Sequence, residues 1–175
     1  MDTKARAARI KLVAFDIDGV MTDGGLHYSD DGHEFKTFNV QDGLGIVLMK
    51  RAGIEVAIIT GRNSNVVNCR AKDLGIEHVF HGVGDKRSVA GKLLEQLGLN
   101  WSELAFMGDD LIDLKAMAQC GLAIAPANAR AIVKERAHAV TEAAGGHGAV
   151  REAVEFILAA QGKLDAAFAP YLDPQ

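Results

Sequence analysis

Residues 11–23, KLVAFDIDGVMTD, constrain the fold more than any other part of this chain. Leu12, Val13, Ala14 and Phe15 form a short apolar run of the kind that builds a parallel strand buried on both faces. The run stops at Asp16, Ile17, Asp18 and Gly19. Alternation sends Asp16 and Asp18 to one side if the strand continues, while Gly19 marks its end. Two carboxylates at the carboxyl end of a central strand are costly unless a cation lies between them. That end of an open α/β sheet is also where ligands bind. Alone, the stretch reads either as a site or as an acidic turn.

The remaining sequence decides between the two, and composition sets the frame. A length of 175 residues with 49% apolar content suits one domain with a full core. That domain is expected over residues 10–162, with a β-hairpin excursion at 24–40 and terminal segments at 1–9 and 163–175. Formal net charge is −4 with dispersed Lys and Arg, which gives no footprint for nucleic acid or an acidic membrane surface. Cys69 and Cys120 lack metal or redox spacing, so both are expected to be reduced in a cytoplasmic protein. The basic start is not followed by a signal-peptide core. No run approaches the ~18 apolar residues that a membrane span needs.

Residues 1–9 read as a frayed, Ala-rich start. Turn signals at Asp23-Gly24-Gly25 and at Ser29-Asp30-Asp31-Gly32 bracket strands at 26–28 and 33–40, a hairpin with its tip near Asp31-Gly32. Asp42 is expected to cap a helix over 43–51, which Gly53 stops. Strands follow at 55–60, 76–80, 104–107, 122–125 and 139–140. Helices alternate with them, ending near 74 and covering 87–97, 111–120, 129–136 and 150–160. The tail beyond Gly162 is left without an assignment. This alternation predicts an α/β fold, a doubly wound and mostly parallel Rossmann-like sheet with the hairpin as its one excursion.

In such a sheet the strand ends converge on one edge. Here they carry Asp16 and Asp18, then Thr60-Gly61-Arg62, then Gly84-Asp85-Lys86, then Gly108-Asp109-Asp110 with Asp113. Carboxylates without a His/Cys set suit Mg²⁺, a hard cation that keeps several waters. Asp109 can supply a carboxylate opposite Asp16, and Asp18 its backbone carbonyl. Asp110 and Asp113 can steer water or the lysine from behind, although Asp110 also reads as a helix cap and Asp113 as a first-turn dipole partner. Leu111 and Ile112 between them read as core. Asp16 is the candidate nucleophile toward phosphorus, giving an aspartyl-phosphate, and Asp18 the acid/base. The Thr60 hydroxyl, Lys86 and the backbone N–H groups of Ile17, Asp18 and Gly61 would hold the phosphoryl oxygens.

DIDG, TGR, Lys86 and GDDLID, in this order, resemble the haloacid-dehalogenase-like phosphohydrolases. The resemblance implies the same aspartyl-phosphate chemistry on Asp16, Asp18, Thr60, Lys86 and Asp109, with Mg²⁺. The longer segments DIDGVMTDG, FNVQDGLG, LGIEHVFHGVGDK and GGHGAVRE are similar to a small capless branch, that of the 3-deoxy-D-manno-octulosonate 8-phosphate phosphatases, over roughly residues 10–162. That likeness implies a small phosphorylated sugar acid as substrate and a homotetramer built through the hairpin in place of a cap. It also implies a late Gly-rich segment and tail near a neighbouring subunit's site. Substrate contacts would fall on Asn39, Val40, Gln41, Asp42, Gly43, Arg62, Arg70 and Lys86. Arg62 and Arg70 also read as ordinary helix-surface cations. Gln41 departs from the arginine many members carry there, which keeps another sugar acid, such as a nonulosonate 9-phosphate, open as substrate. A non-catalytic metal-dependent regulatory domain is the alternative of another class.

Overall fold

The computed structural model describes residues 2–172. Its main sheet has six strands: β1 Leu12–Phe15, β4 Glu55–Ile59, β5 His78–Phe80, β6 Leu104–Met107, β7 Leu122–Ala125 and β8 Ala139–Val140. They lie in the order β5-β4-β1-β6-β7-β8, and every neighbouring pair is parallel. The chain moves outward from β1 to β4 and β5, then returns across β1 to start β6. The order therefore reverses beside β1, and crevices at that reversal are where doubly wound sheets take ligands. Asp16 extends the register by one more bond, donating its N–H to the Met107 carbonyl at 3.0 Å.

The apolar strands serve two cores by alternation. Val13, Phe15, Val56, Ile58, Ala105, Met107, Leu122 and Ile124 face one layer. Leu12, Ala14, Ala57, Ile59, Leu104, Phe106, Ala123 and Ala125 face the other. Helices α1 (Thr3–Ala7), α2 (Val40–Arg51), α3 (Asn65–Asp73) and α7 (Ala149–Ala160) contribute buried residues to the first. Helices α4 (Lys86–Leu97), α5 (Leu114–Met117) and α6 (Ala131–Arg136) contribute them to the second. Burial on both sides is why these strands carry continuous apolar runs instead of polar alternation.

Several local expectations change. The start is no frayed end: α1 buries Ala7, and Arg6 Nη1 donates to the Gly121 carbonyl at 2.8 Å. The hairpin is shorter, with β2 (His27–Tyr28) antiparallel to β3 (Glu34–Phe35). Its second arm ends early because Asn39 starts α2, the Asn39 Oδ1 accepting the N–H of Gln41 at 2.7 Å. Asp42 is therefore not the cap of α2. The helix expected over 111–120 splits into a 3₁₀ turn, Leu111–Asp113, and the short α5. That turn points Leu111 and Ile112 outward, 61% and 58% exposed, so neither belongs to the core. The tail forms α8 (Leu164–Leu172), which packs Leu164, Ala167 and Phe168 against the first core of its own chain. The Arg151 guanidinium lies over the Phe168 ring, and Arg51 donates to the Tyr171 hydroxyl at 3.1 Å.

Candidate active site

Four parallel strands deliver their ends to one edge, and the side chains there form a single buried polar cluster. Lys86 opens α4, so its position follows from the Asp85 cap, whose carboxylate accepts the Ser88 N–H at 3.3 Å. Its side chain runs inward. Lys86 Nζ lies 2.7 Å from Asp16 Oδ2 and 2.6 Å from Asp113 Oδ1. Asp113 is fully buried, and its other oxygen accepts the backbone N–H groups of Asp109 at 3.0 Å and Asp110 at 3.2 Å. Asp113 thus fixes both the lysine and the loop that carries Asp109. Asp110 accepts from the Leu111 N–H at 2.7 Å, in a reciprocal cap of the 3₁₀ turn.

One carboxylate oxygen each from Asp16, Asp109 and Asp113 fits within a group less than 4.8 Å across. Burial and the neighbouring Asp113 charge push the Asp16 carboxyl up to about 6, against the pull of Lys86 and the Ile17 N–H. Burial, with Asp113, Asp16 and Asp110 nearby, pushes Asp109 up to about 7. One ammonium does not offset three gathered carboxylates. The surplus negative charge and an all-oxygen donor set fit a hard divalent cation.

Gly19 closes this cluster from below. Its φ of +88° is open to glycine, and a Cβ there would lie 2.2 Å from Asp109 Oδ2. The Gly19 carbonyl accepts from Asn128 Nδ2 at 2.9 Å, and Asn128 Oδ1 accepts the Gly145 N–H at 2.7 Å. Gly146 donates to the Val20 carbonyl at 3.1 Å. The late Gly-rich turn is thereby packed against the loop after β1, within the same chain.

The other expected residues sort into two groups. Thr60 is buried at the end of β4, with Gly61 behind it, and the Thr60 Oγ1 accepts the Arg62 N–H at 3.4 Å. The Ile17 N–H already donates to Asp16 Oδ1 at 2.7 Å. Arg62 reaches the hairpin: Nη2 donates to the Tyr28 hydroxyl at 2.6 Å and to Glu34 at 2.9 Å, while Nε is 3.7 Å from Asp18 Oδ2. Arg70 lies with the 39–43 segment, donating to the Asn39 carbonyl at 3.1 Å and stacking over Phe38. Gly43 permits that approach, since a Cβ there would meet Arg70 Nη2 at 2.2 Å. Val40 and Gln41 are exposed, and Asp42 is buried with its carboxylate on α7.

Sequence reasoning passed over Lys36, Glu34, Tyr28 and Asn128. Lys36 pairs with the Asp18 carboxylate and sits 3.4 Å from Glu34, its side chain only 1% exposed. The available signal was the two-residue spacing of Glu34 and Lys36, which puts both on one face of a strand.

With the geometry in place, relatives identify its lineage. Residues 44–121 match the family of haloacid dehalogenase-like hydrolases. A Yersinia pestis 3-deoxy-D-manno-octulosonate 8-phosphate phosphatase is 46% identical over 166 residues, 95% of this chain and 89% of that one. The crystal structure of a probable yrbi family phosphatase from Pseudomonas syringae superposes with a TM-score of 0.98 at 49% identity, covering 99% of both chains. A Moraxella catarrhalis 3-deoxy-D-manno-octulosonate 8-phosphate phosphatase, solved with magnesium, phosphate and the sugar acid, gives 0.94 at 44% identity, covering 96% of this chain and 97% of that one. This chain belongs to the haloacid-dehalogenase-like hydrolases, in their capless phosphatase branch.

Proposed function

We propose that this chain is a Mg²⁺-dependent phosphomonoesterase that hydrolyses 3-deoxy-D-manno-octulosonate 8-phosphate to the free sugar acid and phosphate. The observation that carries the reading is Asp16 at the end of β1, buried, paired with Lys86 and facing Asp109 across the cluster. The named relatives, matched over nearly the whole chain, favour this substrate.

Asp16 attacks phosphorus in line as the bond to the sugar oxygen breaks, and Asp18 gives its proton to that leaving oxygen. Water then attacks the aspartyl-phosphate, Asp18 takes the water's proton, and phosphate leaves with Asp16 restored. Lys86 holds Asp16 in place and donates toward the phosphoryl oxygens with Thr60 and the backbone N–H groups of Asp18 and Gly61. Asp16, Asp109 and the Asp18 backbone carbonyl would hold Mg²⁺, which would supply the positive charge to offset repulsion between Asp16 and the phosphate dianion. Arg62 and Arg70 offer planar forks for the substrate carboxylate, with Asn39–Gly43 shaping the rim.

The reading includes a homotetramer. The hairpin exposes Leu26, Tyr28 and Phe35 at 50–58%, an apolar surface that a neighbouring subunit would cover. Among the described residues no helix is long and apolar enough to cross a membrane, and the reading places the enzyme in the cytoplasm.

Phosphate release from a panel of phosphorylated sugar acids tests the function. The 8-phosphate is expected to be preferred, with turnover abolished in Asp16→Asn and by chelation of Mg²⁺. Preference for a nonulosonate 9-phosphate would transfer the assignment to that substrate, and unchanged turnover in Asp16→Asn would defeat the mechanism. Light scattering on the eluting protein tests assembly, where a fully selective monomer would overturn the tetramer.

A further inference from the structure

The side chain of Lys36 is 1% exposed although it lies outside the Lys86 cluster, and nothing in the mechanism above uses its ammonium. Lys36 follows β3, in a hairpin whose other side chains are largely exposed. A lysine in such a position ordinarily extends into water, because burying its charge is costly. Here it turns inward to Asp18 Oδ1, with Glu34 Oε1 3.4 Å away. Among the described residues, none donates a hydrogen bond to the second oxygen of Asp18. Arg62 Nε stands 3.7 Å from that oxygen, and Arg62 Nη2 is engaged by Tyr28 and Glu34.

We propose that Lys36 is a positioning residue for the acid/base step: by holding Asp18 Oδ1, it leaves Oδ2 as the oxygen that delivers the proton to the leaving group. The inference rests on the phosphatase reading, since it gives Lys36 a task only if Asp18 serves as acid. The contact spans eighteen residues and ties the hairpin to the loop after β1. The hairpin is thus part of the catalytic geometry of its own chain, in addition to any surface it offers a neighbour. The loss expected from misplacing one proton donor is about 100-fold, confined to substrates whose departing oxygen needs the proton.

That confinement is the test. The wild-type protein, D16N and Lys36→Met are compared on 4-nitrophenyl phosphate, phenyl phosphate and benzyl phosphate by kcat/KM, which reports the first chemical step, and on the sugar-acid phosphate. The expected result is a steeper dependence on the leaving group in K36M, with benzyl phosphate down about 100-fold and 4-nitrophenyl phosphate within about three-fold of wild type. Equal losses across the series would make Lys36 merely structural and overturn the proposal. A loss on the sugar-acid phosphate alone, with the series unchanged, would make it a substrate ligand and also overturn it. Circular dichroism checks that K36M is folded. If it is not, Lys36→Gln goes through the same series against the same outcomes. Wild-type protein that fails to turn over, or turnover that persists in D16N, defeats the phosphatase reading itself; K36M matching wild type while D16N is dead defeats only the inference.

Discussion

Asp42, in the first turn of α2, caps a different helix: its carboxylate accepts the Arg151 N–H at 2.8 Å and the Gly148 N–H at 3.3 Å, at the start of α7. Gly148, the residue before α7, has no side chain to do this. Burial raises the Asp42 carboxyl above its ordinary range even though the N–H groups of Arg151 and Gly148 favour its charge. Asp42→Ala should therefore leave two N–H groups unmatched at a costly place, about 1–2 kcal/mol. At this chain length that is a fall in Tm of about 2–8 °C by thermal unfolding. Asp42→Asn keeps an acceptor without the charge and should lose less than half as much. Equal losses in both variants would show that the charge on the α7 dipole, not the hydrogen bonds, is what matters.

Lys86 is a buried cation between two buried carboxylates, so removing it strands both. Lys86→Met should destabilise the fold by about 3–5 kcal/mol, read from urea unfolding of metal-free protein. Phosphatase activity should fall by about 10²–10³-fold or more in the same variant, because the donor to the phosphoryl oxygens is gone. A variant as stable as wild type would mean that water had replaced the ammonium.

The raised carboxyls at Asp16 and Asp109 predict how pH and cation are linked. Both titrate above the ordinary 3.8 in the fold, at about 6 and about 7. Across that interval the native chain keeps protons that the unfolded chain has released, so the contribution of this cluster to stability falls as pH rises through it. A bound cation displaces those protons. Added Mg²⁺ should therefore raise the Tm of chelator-treated protein more at about pH 8 than at about pH 5.5. Equal shifts at both values would show that these carboxylates do not form the cation's site.

The positions where sequence and structure part company share a physical cause. The four central strands were legible because burial on both faces forces unbroken apolar runs, and the site was legible because parallel strands end on one edge. Lys86 stood out for its place after a Gly-Asp turn at such an end. Leu111 and Ile112 misled because apolar residues next to acids look like the inner stripe of a helix, whereas a 3₁₀ turn rotates both outward. Asp42 misled because a carboxylate before a helical pattern is a local cap signal, and Asn39 occupies that role while Asp42 serves a helix more than a hundred residues later. Lys36 and Asn128 reach partners distant in sequence, Asp18 in one case and Gly19 with Gly145 in the other. The Glu34–Lys36 spacing sets a shared strand face without pointing to Asp18, and nothing beside Asn128 points to its partners.

Gly19 offers the sharpest test of the cation site, because it supports Asp109 without touching substrate chemistry. An added methyl would fall 2.2 Å from Asp109 Oδ2, and a φ of +88° strains any other residue. Backbone on the far side leaves little room to retreat, since a Cβ on Gly145 would already lie 2.0 Å from the Gly19 carbonyl oxygen. In Gly19→Ala the carboxylate of Asp109 must therefore move. The expected outcome is Mg²⁺ affinity weakened by about 10–100-fold, the range for disturbing the support of a metal ligand. Activity should be partly recovered at high Mg²⁺, in contrast to Asp16→Asn, which no concentration should rescue. Calorimetric titration of Mg²⁺ into both proteins measures the first effect and phosphate release against Mg²⁺ the second. Unaltered Mg²⁺ affinity in G19A would remove Asp109 from the ligand set.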